Sequence, residues 1–149
     1  MQNLKYIRVS SYPSLTSPKE VLPDSSDLFS YVNDIRNPKY RIPENQKNEV
    51  DQIKLNRKAY FIQGSFKNRS KLGFNKSSNL IIADVDFKHR NLNKDQISAL
   101  IENQKKKLTS SIWTPLCFHR TISQLRYRVI YYVPDLKIEH SELYQEAIT

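Results

Sequence analysis

The residues best suited to chemistry lie in the stretch SSNLIIADVDFKHR, residues 77–90. Leu80, Ile81, Ile82 and Ala83 form a short apolar run flanked by polar residues, which predicts a buried strand ending in Asp84-Val85-Asp86. Side chains alternate along a strand, so Asp84 and Asp86 point one way and Val85 the other. Two carboxylates on one face beside a loop repel each other unless a cation lies between them. Their hard oxygens favour Mg²⁺ or Mn²⁺. The same spacing is equally compatible with a polar strand end carrying two solvated acids.

A second signal is LRYRVIYYV, residues 125–133, the strongest strand pattern in the chain. Leu125, Tyr127, Val129, Tyr131 and Val133 share one face, and Arg126, Arg128, Ile130 and Tyr132 share the other. Two arginines on one strand face need anions, either a bound ligand or a pair of structural acids. Just upstream, residues 110–119 read as a strand with Trp113, Pro115, Cys117 and His119 on a common face, and Pro115 points to an edge or a bulge. A turn through 120–124 joins the two.

The elements that must position these residues follow from the spacing. Residues 6–9 predict a first edge strand, and the proline- and serine-rich stretch 11–26 a loop. Asp24, Ser25 or Ser26 is expected to cap a helix over 27–36, whose Leu28, Val32 and Ile35 recur at helical spacing until Pro38. Pro43 opens a second helix over 44–56, with Val50, Ile53 and Leu55 as a thin apolar stripe. Lys54, Arg57 and Lys58 crowd its end, matching the negative helix terminus or forming a binding patch. Residues 59–62 predict a strand leading to Gly64, which is expected in a left-handed or bulged conformation. The loop over 67–78 carries Lys67, Arg69, Lys71 and Lys76. If its flanking strands are neighbours, it hangs near Asp84 and Asp86 and could supply Arg69 to a triphosphate. Asn93 caps a helix over 94–107 with Ile97, Leu100, Ile101 and Leu108 inward, and Ser141 opens a last helix over 141–149. This order predicts an α+β fold, a mixed or antiparallel hairpin-rich sheet with helices packed on one side.

The 149 residues suit one domain with a single core, here 26–149 after an N-terminal strand and irregular segment, 1–25. Lysine and arginine number 24 against 15 acids, a net charge of +9 that implies a polyanionic partner or a membrane surface. No apolar run is long enough to span a bilayer and the N-terminus lacks the apolar core of a signal peptide, so a cytoplasmic protein is expected. Cys117 is the only cysteine, which excludes an internal disulfide or a cysteine zinc cage. Two glycines exclude glycine-rich phosphate loops, so side chains and metal would have to hold any nucleotide phosphates.

Three blocks in this order, QGSFKNRS (63–70), SNLIIADVD (78–86) and CFHRTISQLRYRVIYYVP (117–134), resemble the archaeo-eukaryotic primase superfamily. The likeness is to the primase-polymerase-like domains of phages and mobile elements, including the VirE N-terminal-like group. It runs from about Phe29 to the C-terminus. The resemblance implies that Asp84 and Asp86 hold catalytic Mg²⁺ or Mn²⁺, and that His119, or its neighbour Arg120, is the second-motif residue, with Thr121 and Ser123 behind it. It implies that Arg126 and Arg128 are the hairpin Arg-x-Arg, and that Gly64, Phe66 and Arg69 match the family's glycine-aromatic-arginine loop. Arg69, Arg120, Ser123, Arg126 and Arg128 would thus contact the nucleotide. The family also needs a third acid on a later strand. Asp135 follows the hairpin too closely for that role, so a C-terminally truncated domain is expected, either a fragment or a natural short form. The implied activity is template-directed nucleotidyl transfer with nucleoside triphosphates on single-stranded DNA, and a replicative helicase is a further implied partner. The alternative is a catalytically inactive DNA-binding accessory module that keeps the fold; a metal-dependent nuclease ranks below both.

Overall fold

The computed structural model describes residues 3–15, 17, 21–40, 47–68, 73–87 and 91–134. Within them three α-helices and three small antiparallel sheets make an α+β fold. After a 3₁₀ turn at Leu4–Tyr6, strand β1 (Arg8–Tyr12) lies between β2 (Asp24–Asp27) and β3 (Ala59–Phe61). The strand expected at 6–9 is therefore shifted and central rather than an edge, and part of the expected loop 11–26 is strand. Ser10 and Ser11 are buried because both neighbours pair with them, and pairing on two sides outweighs the weak strand preference of serine.

Helix α1 (Leu28–Arg36) is capped by Asp27 rather than by residues 24–26, which β2 uses. Asp27 Oδ1 accepts from Ser30 N at 2.8 Å and from Ser30 Oγ at 3.0 Å. Helix α2 (Lys47–Asn56) follows, its expected start at 44 lying outside the described residues. Strands β4 (Gly64–Phe66) and β5 (Phe74–Ser77) form their own hairpin, so the expected loop over 67–78 contains a strand. Gly64 has no positive φ. A Cβ there would run into the Lys76 carbonyl, so close strand approach explains the glycine, and the bulge falls beside it, between Ser65 and Phe66.

The third sheet has the order β6 (Leu80–Asp86), β8 (Arg126–Tyr132), β7 (Cys117–Arg120). The strand expected to be buried, β6, is an edge, and among its residues Leu80 alone is fully shielded. Residues 110–114 are not strand, and Trp113, 79% exposed, shares no face with His119. Between β6 and β7, helix α3 (Lys94–Thr109) starts with a capping box in which Asn93 and Gln96 bond reciprocally.

Helices cover both faces of this sheet, not one. On one side Leu80 and Ile130 pack with Leu28, Tyr31 and Val32 of α1 and with Ile7 and Val9. On the other, Tyr127 and Val129 pack with Phe87 and with Ile97 and Ile101 of α3. Fully buried isoleucines such as Ile130 and Ile101 each contribute about 1.5–3 kcal/mol of transfer free energy. The strands alternate apolar residues to both faces, and each set needs its own cover. No helix among the described residues is long and apolar enough to cross a membrane. Asp135 and the helix expected over 141–149 lie outside the described residues.

Candidate active site

The pairing register of β8 assembles the site. Asp84 of β6 stands opposite Arg128, Asp86 opposite Arg126, and His119 of β7 opposite Arg128 from the other side. Residues directly opposite share a face, so all five side chains rise from one face of the sheet. Arg128 donates from Nε to Asp84 Oδ1 at 2.6 Å and from Nη2 to Oδ2 at 2.8 Å, a two-pronged pair. Arg126 Nε lies 3.2 Å from Asp86 Oδ2. The acids expected to need a cation and the arginines expected to need an anion thus neutralise each other. Asp84 is 54% exposed and Asp86 39%. Ion pairs this wet contribute about 0–1 kcal/mol, so a ligand with better geometry can exchange with either partner. Hydrogen bonds from Arg128 hold the Asp84 carboxyl below its ordinary range.

Behind Arg128 a polar chain runs into the protein. His119 Nδ1 lies 2.8 Å from the Arg120 carbonyl, which can only accept, so Nδ1 carries the proton and Nε2 is the acceptor of the neutral ring. Tyr31 of α1 donates its hydroxyl to that Nε2 at 2.8 Å, and the same oxygen accepts from Arg128 Nη1 at 3.2 Å. Burial is the main reason that the His119 pKa lies below its usual value, and burial likewise pushes the Tyr31 phenol up. His119 is therefore neutral near pH 7, its free nitrogen engaged by Tyr31.

These residues line a cleft of about 960 Å³, within the size range of small-molecule sites. Its opposite wall comes from α1, from the end of α2 and from β3. Asp34 there accepts a hydrogen bond from Tyr60, and the Lys58 ammonium sits 5.1 Å above the Tyr60 ring. Lys54, Arg57 and Lys58 face the same space.

Asp84, Asp86, His119, Arg126 and Arg128 are thus together, as the sequence suggested. Arg120 borders the cleft, but its guanidinium is drawn to α3, donating to Ser98 Oγ at 3.0 Å and to Glu102 at 2.8 Å. A nucleotide would have to compete with that helix for it. Ser123 serves the hairpin turn, its Oγ 3.1 Å from Thr121 Oγ1 and accepting from Leu125 N at 3.4 Å. Phe66 packs against Phe61 and Phe74 in the β4–β5 hairpin. That hairpin is not hydrogen-bonded to β6, so the adjacency that would bring Arg69 to the acids is lacking, and Arg69 itself lies outside the described residues. Tyr31 was missed. It sits one turn after Leu28, a spacing that signals burial but carries no hint of its polar partners.

Asp84 and Asp86 suit a hard divalent ion by donor type and by shared face. Mg²⁺ commonly takes one or two carboxylates and completes its shell with water and phosphate oxygens. Among the described residues no group of three or more His, Cys, Asp or Glu could hold a metal, so these two acids supply the whole protein share. Any such ion must displace Arg128 from at least one Asp84 oxygen. Comparison with protein-family models, with curated proteins and with solved structures gave no match.

Proposed function

We propose that this chain is a primase-polymerase-like domain of the archaeo-eukaryotic primase superfamily, which joins nucleotides on a single-stranded DNA template in the replication of a mobile element or phage. The observation that supports this reading is the convergence of Asp84, Asp86, Arg126, Arg128 and His119 on one wet face bordering a nucleotide-sized cleft. An incoming triphosphate competes with the carboxylates for the two guanidiniums, whose forked donors match phosphate oxygens. The acids so released hold Mg²⁺ or Mn²⁺, which when bound neutralises charge on the triphosphate and polarises the attacking hydroxyl. Tyr31 and His119 keep Arg128 from swinging away as its partner changes. The net charge of +9 suits a template strand gripped by its backbone.

The closed ion pairs favour a second reading, an inactive DNA-binding accessory module in which Asp84 and Asp86 serve only to neutralise Arg128 and Arg126. Incubation with Mn²⁺, labelled nucleotides and a single-stranded template separates the two. Extension by the native chain and none by Asp84→Ala/Asp86→Ala is the result expected of the enzyme. Equal DNA binding with synthesis by neither supports the accessory module.

A further inference from the structure

The two walls of the cleft differ in charge. On the sheet wall, two carboxylates answer two guanidiniums, leaving little net charge at Asp84, Asp86, Arg126 and Arg128. On the facing wall Lys54, Arg57 and Lys58 fall within five consecutive residues, and among the described residues no carboxylate lies in ion-pair range of any of them. The negative end of α2 accounts for only part of this. A helix terminus carries roughly half an elementary charge, and three cations exceed it several-fold. Arg57 and Lys58 also lie beyond the last helical residue, Asn56.

We propose that Lys54, Arg57 and Lys58 form a phosphate-binding subsite, and that this wall, rather than Arg126 and Arg128, is the first to take the polyphosphate of a nucleotide. The inference deepens the nucleotide reading of the cleft and rests on it for the identity of the ligand. An anion arriving at Arg126 or Arg128 must first displace a carboxylate that is already in place. At Arg57 it displaces only water, and the guanidinium offers forked donors that a phosphate can use directly. The Arg57 charge already bears on Tyr31 and His119 across the cleft, so a phosphate held there stands within reach of the sheet wall. The shared ligand chemistry is a run of phosphates, supplied either by a free triphosphate or by the backbone of single-stranded DNA.

Metal-free titration with inorganic tripolyphosphate in the presence of a chelator tests the subsite, with a single-stranded oligonucleotide lacking a terminal phosphate as a second ligand. Arg57→Ala/Lys58→Ala is expected to weaken tripolyphosphate binding roughly tenfold to hundredfold, the loss expected when charged hydrogen-bond partners are removed. Arg126→Ala should change it by less. Both altered side chains of the double variant are exposed, so its thermal unfolding should match that of the native chain. Loss of oligonucleotide binding as well would show that the subsite also takes backbone phosphates; its retention would assign the subsite to free nucleotides. No measurable tripolyphosphate binding by the native chain, an unaffected double variant, or a larger loss with Arg126→Ala would overturn the proposal. Absence of nucleotide incorporation alongside Arg57-dependent tripolyphosphate binding would remove the nucleotidyl-transfer reading and leave the subsite standing.

Discussion

The two faces of the β6-β8-β7 sheet are made by the same strands and have opposite fates. Apart from Arg120, the face under α3 is apolar along its length, with Val85, Phe118, Tyr127, Val129 and Tyr131 packed around Ile97 and Ile101. The other face is divided. Leu80, Ile82, Ile130 and Tyr132 lie in the core beneath α1, whereas Asp84, Asp86, Arg126, Arg128 and His119, farther along the same strands, border the cleft. Alternation along a strand decides which face a residue takes, and only the element above that face decides whether it is core or wet. The α1 helix ends the core at Tyr31, whose ring packs inward while its hydroxyl serves Arg128 and His119.

The comparison can be broken most forcefully at Ile130, the last fully buried residue of β8 before the polar end. Ile130→Ala should cost about 2–5 kcal/mol in chemical denaturation, as should Ile101→Ala on the opposite side, because each leaves a cavity in a closed cluster. A loss below about 1 kcal/mol at Ile130 would mean that the divided face is not core at that end.

The boundary itself is probed by Tyr31→Phe, which keeps the ring and removes the hydroxyl. His119 Nε2 loses its donor and Arg128 Nη1 its acceptor, a loss of about 1–3 kcal/mol measurable by the same unfolding curves. Unchanged stability would reduce the polar chain to a geometric coincidence.

Acid sharpens the contrast by a smaller amount. Burial holds the His119 pKa down in the folded state, so the unfolded chain binds protons first as pH falls. The associated stability is present above about pH 6.5, the unfolded value, and is lost as pH falls toward the folded one, at up to about 1.4 kcal/mol per unit. Asp84, also held low, adds its own loss below about pH 4. Unfolding free energies measured from pH 7 to 5 should fall for the native chain and fall less steeply for His119→Gln. Parallel slopes would show that His119 is not held low by the fold.

Much of the architecture was legible where one signal dominated. The capping of α3 by Asn93, the helical stripe of α1 and the long alternation of β8 all appear as read. The failures share a cause. Ser10, Ser11 and residues 24–26 looked like loop because serine and aspartate favour turns, yet they pair because β1 has partners on both sides. The apolar run of β6 looked buried and became an edge, since no local feature of residues 80–83 reports how many strands will flank them.

By itself the sequence determined that Asp84 and Asp86 share a face, that Arg126 and Arg128 share a face, and that the chain carries excess positive charge. Period-two geometry and composition are local properties and need no fold to be read. Only the tertiary structure decided that these two faces are the same one, that the acids and arginines answer each other, and that Tyr31 closes the chain to His119. Arg128 is 44 residues from Asp84 and 97 from Tyr31, and contacts at such separation are set by strand register and helix packing over the whole domain.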